Sequence, residues 1–153
     1  IKAMKVAYEA HLGQLDYNDV PYIFHPYHLA EQMDDEISCT VALLHDVVED
    51  TEITLEDLRK EGFSREILEA LELLTHIKGV PYMDYVVEVK KNSLAREVKI
   101  ADLYDNLDLD RLSVLTEKDL KRIKKYNFSS ICTIIRIIYC IISIRKRSKL
   151  LDK

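Results

Sequence analysis

Four ionisable side chains crowd the end of an apolar stretch in Val41-Ala42-Leu43-Leu44-His45-Asp46-Val47-Val48-Glu49-Asp50-Thr51. Burying His45, Asp46, Glu49 and Asp50 there is unfavourable unless something compensates their charge and polarity. A cation is the simplest compensation. A solvated helix end is the plainer alternative, but acids in a last turn oppose the helix dipole at a cost of up to about 1 kcal/mol. On one continuous helix, residues i and i+4 share a face, so Glu49 lies one turn beyond His45 and Asp50 one turn beyond Asp46. His45 and Asp46 are then expected to bind a metal. Glu49 and Asp50, about 5 Å further on, are expected to be the catalytic pair acting on its water.

Two adjacent residues cannot complete a coordination shell, and His25 and Asp102 are the best further candidates. His25 lies among aromatic residues in Tyr22-Ile23-Phe24-His25-Pro26, and Asp102 is an acid set in an apolar, small-residue segment, Val98 to Leu107. A capping histidine and a salt-bridged aspartate are the structural alternatives for the two. Two His and two Asp make a mixed nitrogen and oxygen set that suits manganese, iron or zinc, with positions open for water and phosphate oxygens. Lys99 is either a cation that neutralises phosphate or a plain surface lysine. His11, His28 and His76 show no partner pattern and are expected to be surface or satisfied core residues. Tyr82 and Tyr85 are expected to pack, and Tyr104 could stack on a base. Cys39, Cys132 and Cys140 lack C-x-x-C spacing, so neither a disulfide framework nor a thiolate zinc site is expected.

Elements that could position these groups are helical throughout. Three Gly and three Pro in 153 residues are too few for a turn-rich β fold. Apolar spacing predicts a first helix over 2–12 ending near Gly13, then a loop to Pro26, then a short helix opened by Pro26 and closed by Asp34 and Asp35. A helix buried on most sides is expected over 37–48. Thr54 and Ser64 read as N-caps, the second of a helix running to Thr75, and Pro81 as the start of another helix. Leu94 to Leu107 continues the helical period. The expectation is an all-α protein, a single helical bundle of six to eight helices.

The formal charge of −5 hides a split. Residues 1–110 hold 24 of the 27 acids against 10 of the 22 basic residues, net −14, and residues 111–153 are net +9. An acidic body excludes a nucleic-acid face there, because phosphate neutralisation needs clustered Lys and Arg. The segment 126–153 is isoleucine-rich and basic, and the expected division is a domain over 1–125 and an atypical tail over 126–153. Arg136 interrupts the apolar run, which falls short of the roughly 20 residues of a spanning helix, so no membrane anchor is expected. A contact within a homo-oligomer is one reading of the tail. Lys121, Arg122, Lys124 and Lys125 form a basic segment that is either a solvated face or a guide for an anionic substrate. With no apolar signal segment at Ile1-Lys2-Ala3-Met4, the expected location is the cytoplasm.

Ordered motifs add a resemblance. Ala10-His11-x-Gly13-Gln14, Pro21-Tyr22-Ile23-x-His25-Pro26, Ala42 to Thr51, Leu73-Leu74-Thr75 and Lys99-x-Ala101-Asp102-x-x-x-Asn106 together resemble the HD-domain superfamily of metal-dependent phosphohydrolases. Within it they are most similar to the (p)ppGpp hydrolases of the RelA/SpoT type and their small stand-alone relatives. The resemblance covers about residues 3–110. It implies a helical HD fold with manganese on His25, His45, Asp46 and Asp102. It also implies that Glu49 and Asp50 orient or deprotonate the attacking water, that Asn106 contacts the nucleotide sugar or phosphate, and that the 3′-pyrophosphate of ppGpp or pppGpp is removed. This sequence departs from the pattern in carrying Asp16-Tyr17 where a basic pair is usual, and Tyr104-Asp105 where a basic residue and then His or Tyr are common. Its length leaves no room for a synthetase domain, so alarmone synthesis is not expected. Two alternatives follow: a small-nucleotide or dinucleotide phosphatase acting on nucleoside monophosphates or NADPH, and a non-catalytic nucleotide-binding regulatory module. The Glu49-Asp50 pair speaks against the module, which has no need of a water-activating dyad.

Overall fold

Alanine spacing turns the N-terminus into α1, Lys2–Ala10, which buries Ala3 and Ala7 and stops short of Gly13, where φ is +82°. A computed structural model describes residues 1–16 and 18–107 of the chain. The loop after α1 is held by its own backbone: Leu15 bridges Pro21, and Asp16 Oδ1 accepts from the Asn18 and Val20 amides at 2.8 and 3.0 Å. Asp16, which stands where the resemblance implies a basic pair, is therefore a loop-building residue.

Helix α2 spans Phe24–Ala30, two residues earlier than Pro26 suggested. The Phe24 amide donates to Pro21 O and the His25 amide to Tyr22 O, so the Pro21-Tyr22 turn leads directly into the helix. Pro26 then falls in the first turn, where a missing N–H costs no intrahelical bond. Asp35 does not close this helix. It caps the next one, α3 (Glu36–Leu44), by accepting from the Ile37 and Ser38 amides.

The helix expected over 37–48 is broken. α3 ends at Leu44 and a separate turn, α4, spans Val47–Asp50. Both His45 and Asp46 keep right-handed backbone angles, so the apolar period runs on through Val47 while the hydrogen-bond ladder does not. His45 helps to end α3 by bonding its own Nδ1 to Ala42 O at 2.8 Å, which occupies one of the carbonyls a helix end leaves unpaired.

Farther along, Thr54 and Asp57 form a capping box for α5 (Leu55–Lys60), and Ser64 caps α6 (Arg65–Leu74). Pro81 precedes α7 (Tyr82–Lys91), and α8 runs Ser93–Leu107. The described residues thus form eight helices and no strand, an all-α architecture as expected. α3 is the central element: Val41, Ala42, Leu43 and Leu44 are buried, and it packs against α1, α2, α6 and α8. Leu29, Leu58, Leu71 and Val98 close the core around it, each such side chain contributing about 1.5–3 kcal/mol relative to exposure. None of the described helices is long and apolar enough to cross a membrane. The basic segment 121–125, the tail 126–153, Tyr17, Cys132 and Cys140 lie outside the described residues.

Candidate metal centre

Three parts of the bundle converge on one point. α2 brings His25, the break between α3 and α4 brings His45 and Asp46, and α8 brings Asp102. His25 Nε2 lies 3.4 Å from Asp102 Oδ1 and 3.8 Å from Asp46 Oδ2. His45 Nε2 lies 2.8 Å from Asp46 Oδ2 and 3.9 Å from Asp102 Oδ1. Ligands on bonds of about 2.0–2.2 Å stand about 3–3.5 Å apart around one ion, and these four spacings, from 2.8 to 3.9 Å, straddle that range, so small side-chain shifts would close the atoms on one ion. Donor atoms of His25, His45 and Asp46 fall within 4.8 Å of one another, a group able to hold a metal ion.

Both imidazoles are turned the right way for it. Ala42 O can only accept, so His45 Nδ1 carries a proton and the neutral ring, the form that binds a metal, keeps its lone pair on Nε2. That Nε2 is buried, with Asp46 Oδ2 at 2.8 Å as its near neighbour and no well-formed hydrogen bond of its own. A buried, unsatisfied ring nitrogen facing two carboxylates fits a cation. His25 Nδ1 is taken at 2.7 Å by Asp105 Oδ2, leaving its Nε2 toward the same point.

Charge in the site favours the same conclusion. Burial alone would push His25 down, but bonds to Asp102 and Asp105 and the charges of Asp102 and Asp46 hold it up at about 9. His45 is likewise raised against its burial by Asp46 and Asp102. Burial opposes ionisation of Asp46, yet the adjacent His45 brings it to about 2, and Asp102 is held far below the carboxylate range by Lys99, His25 and His45 despite its burial. The cluster therefore holds positive charge strongly.

Asp102 is gripped from both sides on its own helix. Lys99 Nζ donates to its Oδ2 at 2.7 Å and Asn106 Nδ2 to its Oδ1 at 2.5 Å. Lys99 is also 5.7 Å above the Tyr85 ring, and Tyr85, pushed up to about 12 chiefly by burial, donates to Leu74 O. Glu49 and Asp50 are exposed on α4, on the wall of a cleft of about 1030 Å³ shared with Glu9, Glu52, Asp57 and Glu61. Glu49 Oε2 accepts from the His76 amide at 2.9 Å. Burial and the charges of Asp46 and Glu49 raise the Asp50 carboxyl.

Several residues in the site had no role assigned from the sequence. Tyr22 donates its hydroxyl to Asp46 Oδ2, and its ring lies between His11 and His25. His11, buried, meets Gln14 at 2.7 Å, and Gln14 donates to Asp50 O at 3.0 Å. These lie in the Ala10-His11-x-Gly13-Gln14 and Pro21-Tyr22 motifs, which carried the signal. His28, half exposed, stands 3.5 Å from Asp105. Tyr104 is exposed, with 49% of its surface free.

Known proteins extend this picture. No family model matches the chain. A guanosine-3′,5′-bis(diphosphate) 3′-pyrophosphohydrolase of Aquifex aeolicus is 33% identical over 136 residues, 81% of this chain and 19% of that protein. The bifunctional (p)ppGpp synthase/hydrolase SpoT of Escherichia coli K12 is 36% identical over 87 residues, 54% of this chain and 12% of that one. The chain thus spans less than a fifth of the length of these curated relatives. A solved structure of a metazoan ortholog of SpoT, which hydrolyzes ppGpp and plays a role in starvation responses, superposes with a TM-score of 0.64 at 25% identity. That likeness covers 82% of this chain and 79% of that one.

Proposed function

This chain is homologous to the (p)ppGpp hydrolase (HD) domain of the SpoT/RelA type, and on that premise we propose that it removes the 3′-pyrophosphate of ppGpp or pppGpp. The observation that carries the reading is the convergence of His25, His45, Asp46 and Asp102, with both Nδ1 atoms engaged elsewhere so that both Nε2 atoms face one point. Those four residues would hold a divalent cation; the mixed donor set suits manganese, iron or zinc, and the family resemblance makes Mn(II) our choice among them. When bound, such an ion lowers the pKa of water toward neutrality and offsets phosphate charge.

Glu49 and Asp50 orient the attacking water and take its proton from the solvent side of the site. Water oxygen joins phosphorus and the bond from phosphorus to the ribose 3′-oxygen breaks; the proton taken from the water is returned, directly or through solvent, to that oxygen, so pyrophosphate leaves with GDP or GTP as the second product. Lys99 and Asn106 steady Asp102 and present a cation and an amide to the substrate phosphate or sugar. We assign residues 1–125 to this domain and 126–153 to a tail suited to contact within a homo-oligomer. A small nucleotide as the partner, with neither nucleic acid nor membrane, and a cytoplasmic location complete the reading.

Acidic residues favour one second reading. Asp16 stands in place of a basic residue, and Glu9, Glu52, Asp57 and Glu61 line the cleft beside the dyad, which suits a less anionic substrate such as a nucleoside monophosphate or NADPH. A substrate panel on the Mn(II)-loaded protein separates the two. Pyrophosphate release from ppGpp, lost in Glu49→Gln and Asp50→Asn, supports the first reading, and orthophosphate release from the smaller nucleotides supports the second. Binding without turnover of any substrate in the panel contradicts both.

A further inference from the structure

One turn of α8 separates Asp102 from Asp105, and the two carboxylates close on the same imidazole from opposite sides. Asp102 Oδ1 stands 3.4 Å from His25 Nε2, and Asp105 Oδ2 stands 2.7 Å from His25 Nδ1. The Asp105 side chain is 2% exposed and that of His25 9%, so this contact is shielded from water. Its other oxygen, Oδ1, lies 3.5 Å from His28 Nε2, one turn along α2. Asp105 occupies a position where the resemblance leads one to look for His or Tyr, and it answers that departure with a buried ionic acceptor.

We propose that Asp105 is a positioning residue of the metal centre, holding His25 by Nδ1 so that Nε2 is aimed at the point shared with His45, Asp46 and Asp102. The inference rests on the metal reading given above. A carboxylate behind a ligating histidine fixes the tautomer and ring orientation and raises the basicity of the ligating nitrogen. His45 gets orientation alone from the neutral Ala42 carbonyl. The two histidines are therefore unequal, with His25 the stronger donor because a charged group stands behind it.

The test measures Mn(II) dissociation constants for the full chain by the electron paramagnetic resonance signal of free Mn(II), alongside thermal midpoints in chelator. Asp105→Leu is expected to weaken binding about 10- to 100-fold. Asp105→Asn keeps an oxygen acceptor for Nδ1–H without the charge and is expected to fall between Leu and the parent. It also carries the test if the Leu protein does not fold. His28→Ala touches only the other oxygen and is expected to bind as the parent does. An unchanged dissociation constant in Asp105→Asn and Asp105→Leu overturns the proposal. A loss shared by His28→Ala and tracking the fall in midpoint also overturns it, because it makes Asp105 a tie between α2 and α8 and nothing more. Failure of the metal reading itself looks different: the parent then shows no specific Mn(II) binding, or His45→Ala binds Mn(II) as tightly as the parent does.

Discussion

At the scale of single residues, the account turns on where each nitrogen and oxygen points. Lys99 is the clearest case, since its ammonium is the counter-ion of a nearly buried carboxylate. Removing one partner of a buried pair costs about 3–5 kcal/mol, because the other charge is left uncompensated. Lys99→Met is therefore expected to lower the thermal midpoint markedly in chelator and much less with Mn(II) present, since the bound ion takes over part of the compensation for Asp102. Scanning calorimetry under both conditions checks this, and an equal drop in both contradicts it. His25, His45, Asp46 and Asp102 were legible in the sequence because histidines and acids in apolar settings demand a reason. Asp105 was not, because its partner is His25, 80 positions away in the chain, and without the fold an extra acid in this segment reads only as a departure.

Element by element, caps were easy to read and the helix break was not. Ser and Thr followed by an acid announce an N-terminus through local hydrogen bonds, and Thr54 and Ser64 both cap where expected. Thr54→Ala is expected to cost roughly 1 kcal/mol in chemical denaturation, through loss of the capping box on α5. Asp35 carries a pH signature as well. The Ser38 amide and then other local bonds, outweighing desolvation, lower its carboxyl below the usual range. A depressed folded pKa stabilises fully above the unfolded value of about 3.9 and is lost as pH falls through the folded one. Asp35→Asn, which keeps an oxygen cap but cannot titrate, is therefore expected to show a shallower loss of stability on acidification than the parent. Denaturation curves taken from neutral pH down into the carboxylate range test it. The break after Leu44 escaped the sequence because right-handed angles persist at His45 and Asp46, and Val47 keeps the apolar period. The side-chain bond from His45 to Ala42 O that helps to end α3 is something periodicity does not register.

For the molecule as a whole, the acidity of residues 1–110, net −14, has a chemical meaning. Four of its buried or partly buried groups, His25, His45, Asp46 and Asp102, sit within contact distance of one another, where one cation would stabilise them together. A ligand that binds only the folded state adds about 2.7 kcal/mol at a hundred times its dissociation constant. The thermal midpoint is thus expected to rise with Mn(II) and to lose that rise in His45→Ala. The central claim, that this helical bundle is a divalent-metal pyrophosphohydrolase, is tested most directly by phosphorus NMR of ppGpp incubated with the Mn(II)-loaded chain. The account predicts that the 3′-diphosphate resonances disappear as those of free pyrophosphate and GDP grow, and that chelator or Glu49→Gln stops the change. A spectrum that stays that of intact ppGpp, or one that yields orthophosphate in place of pyrophosphate, contradicts it.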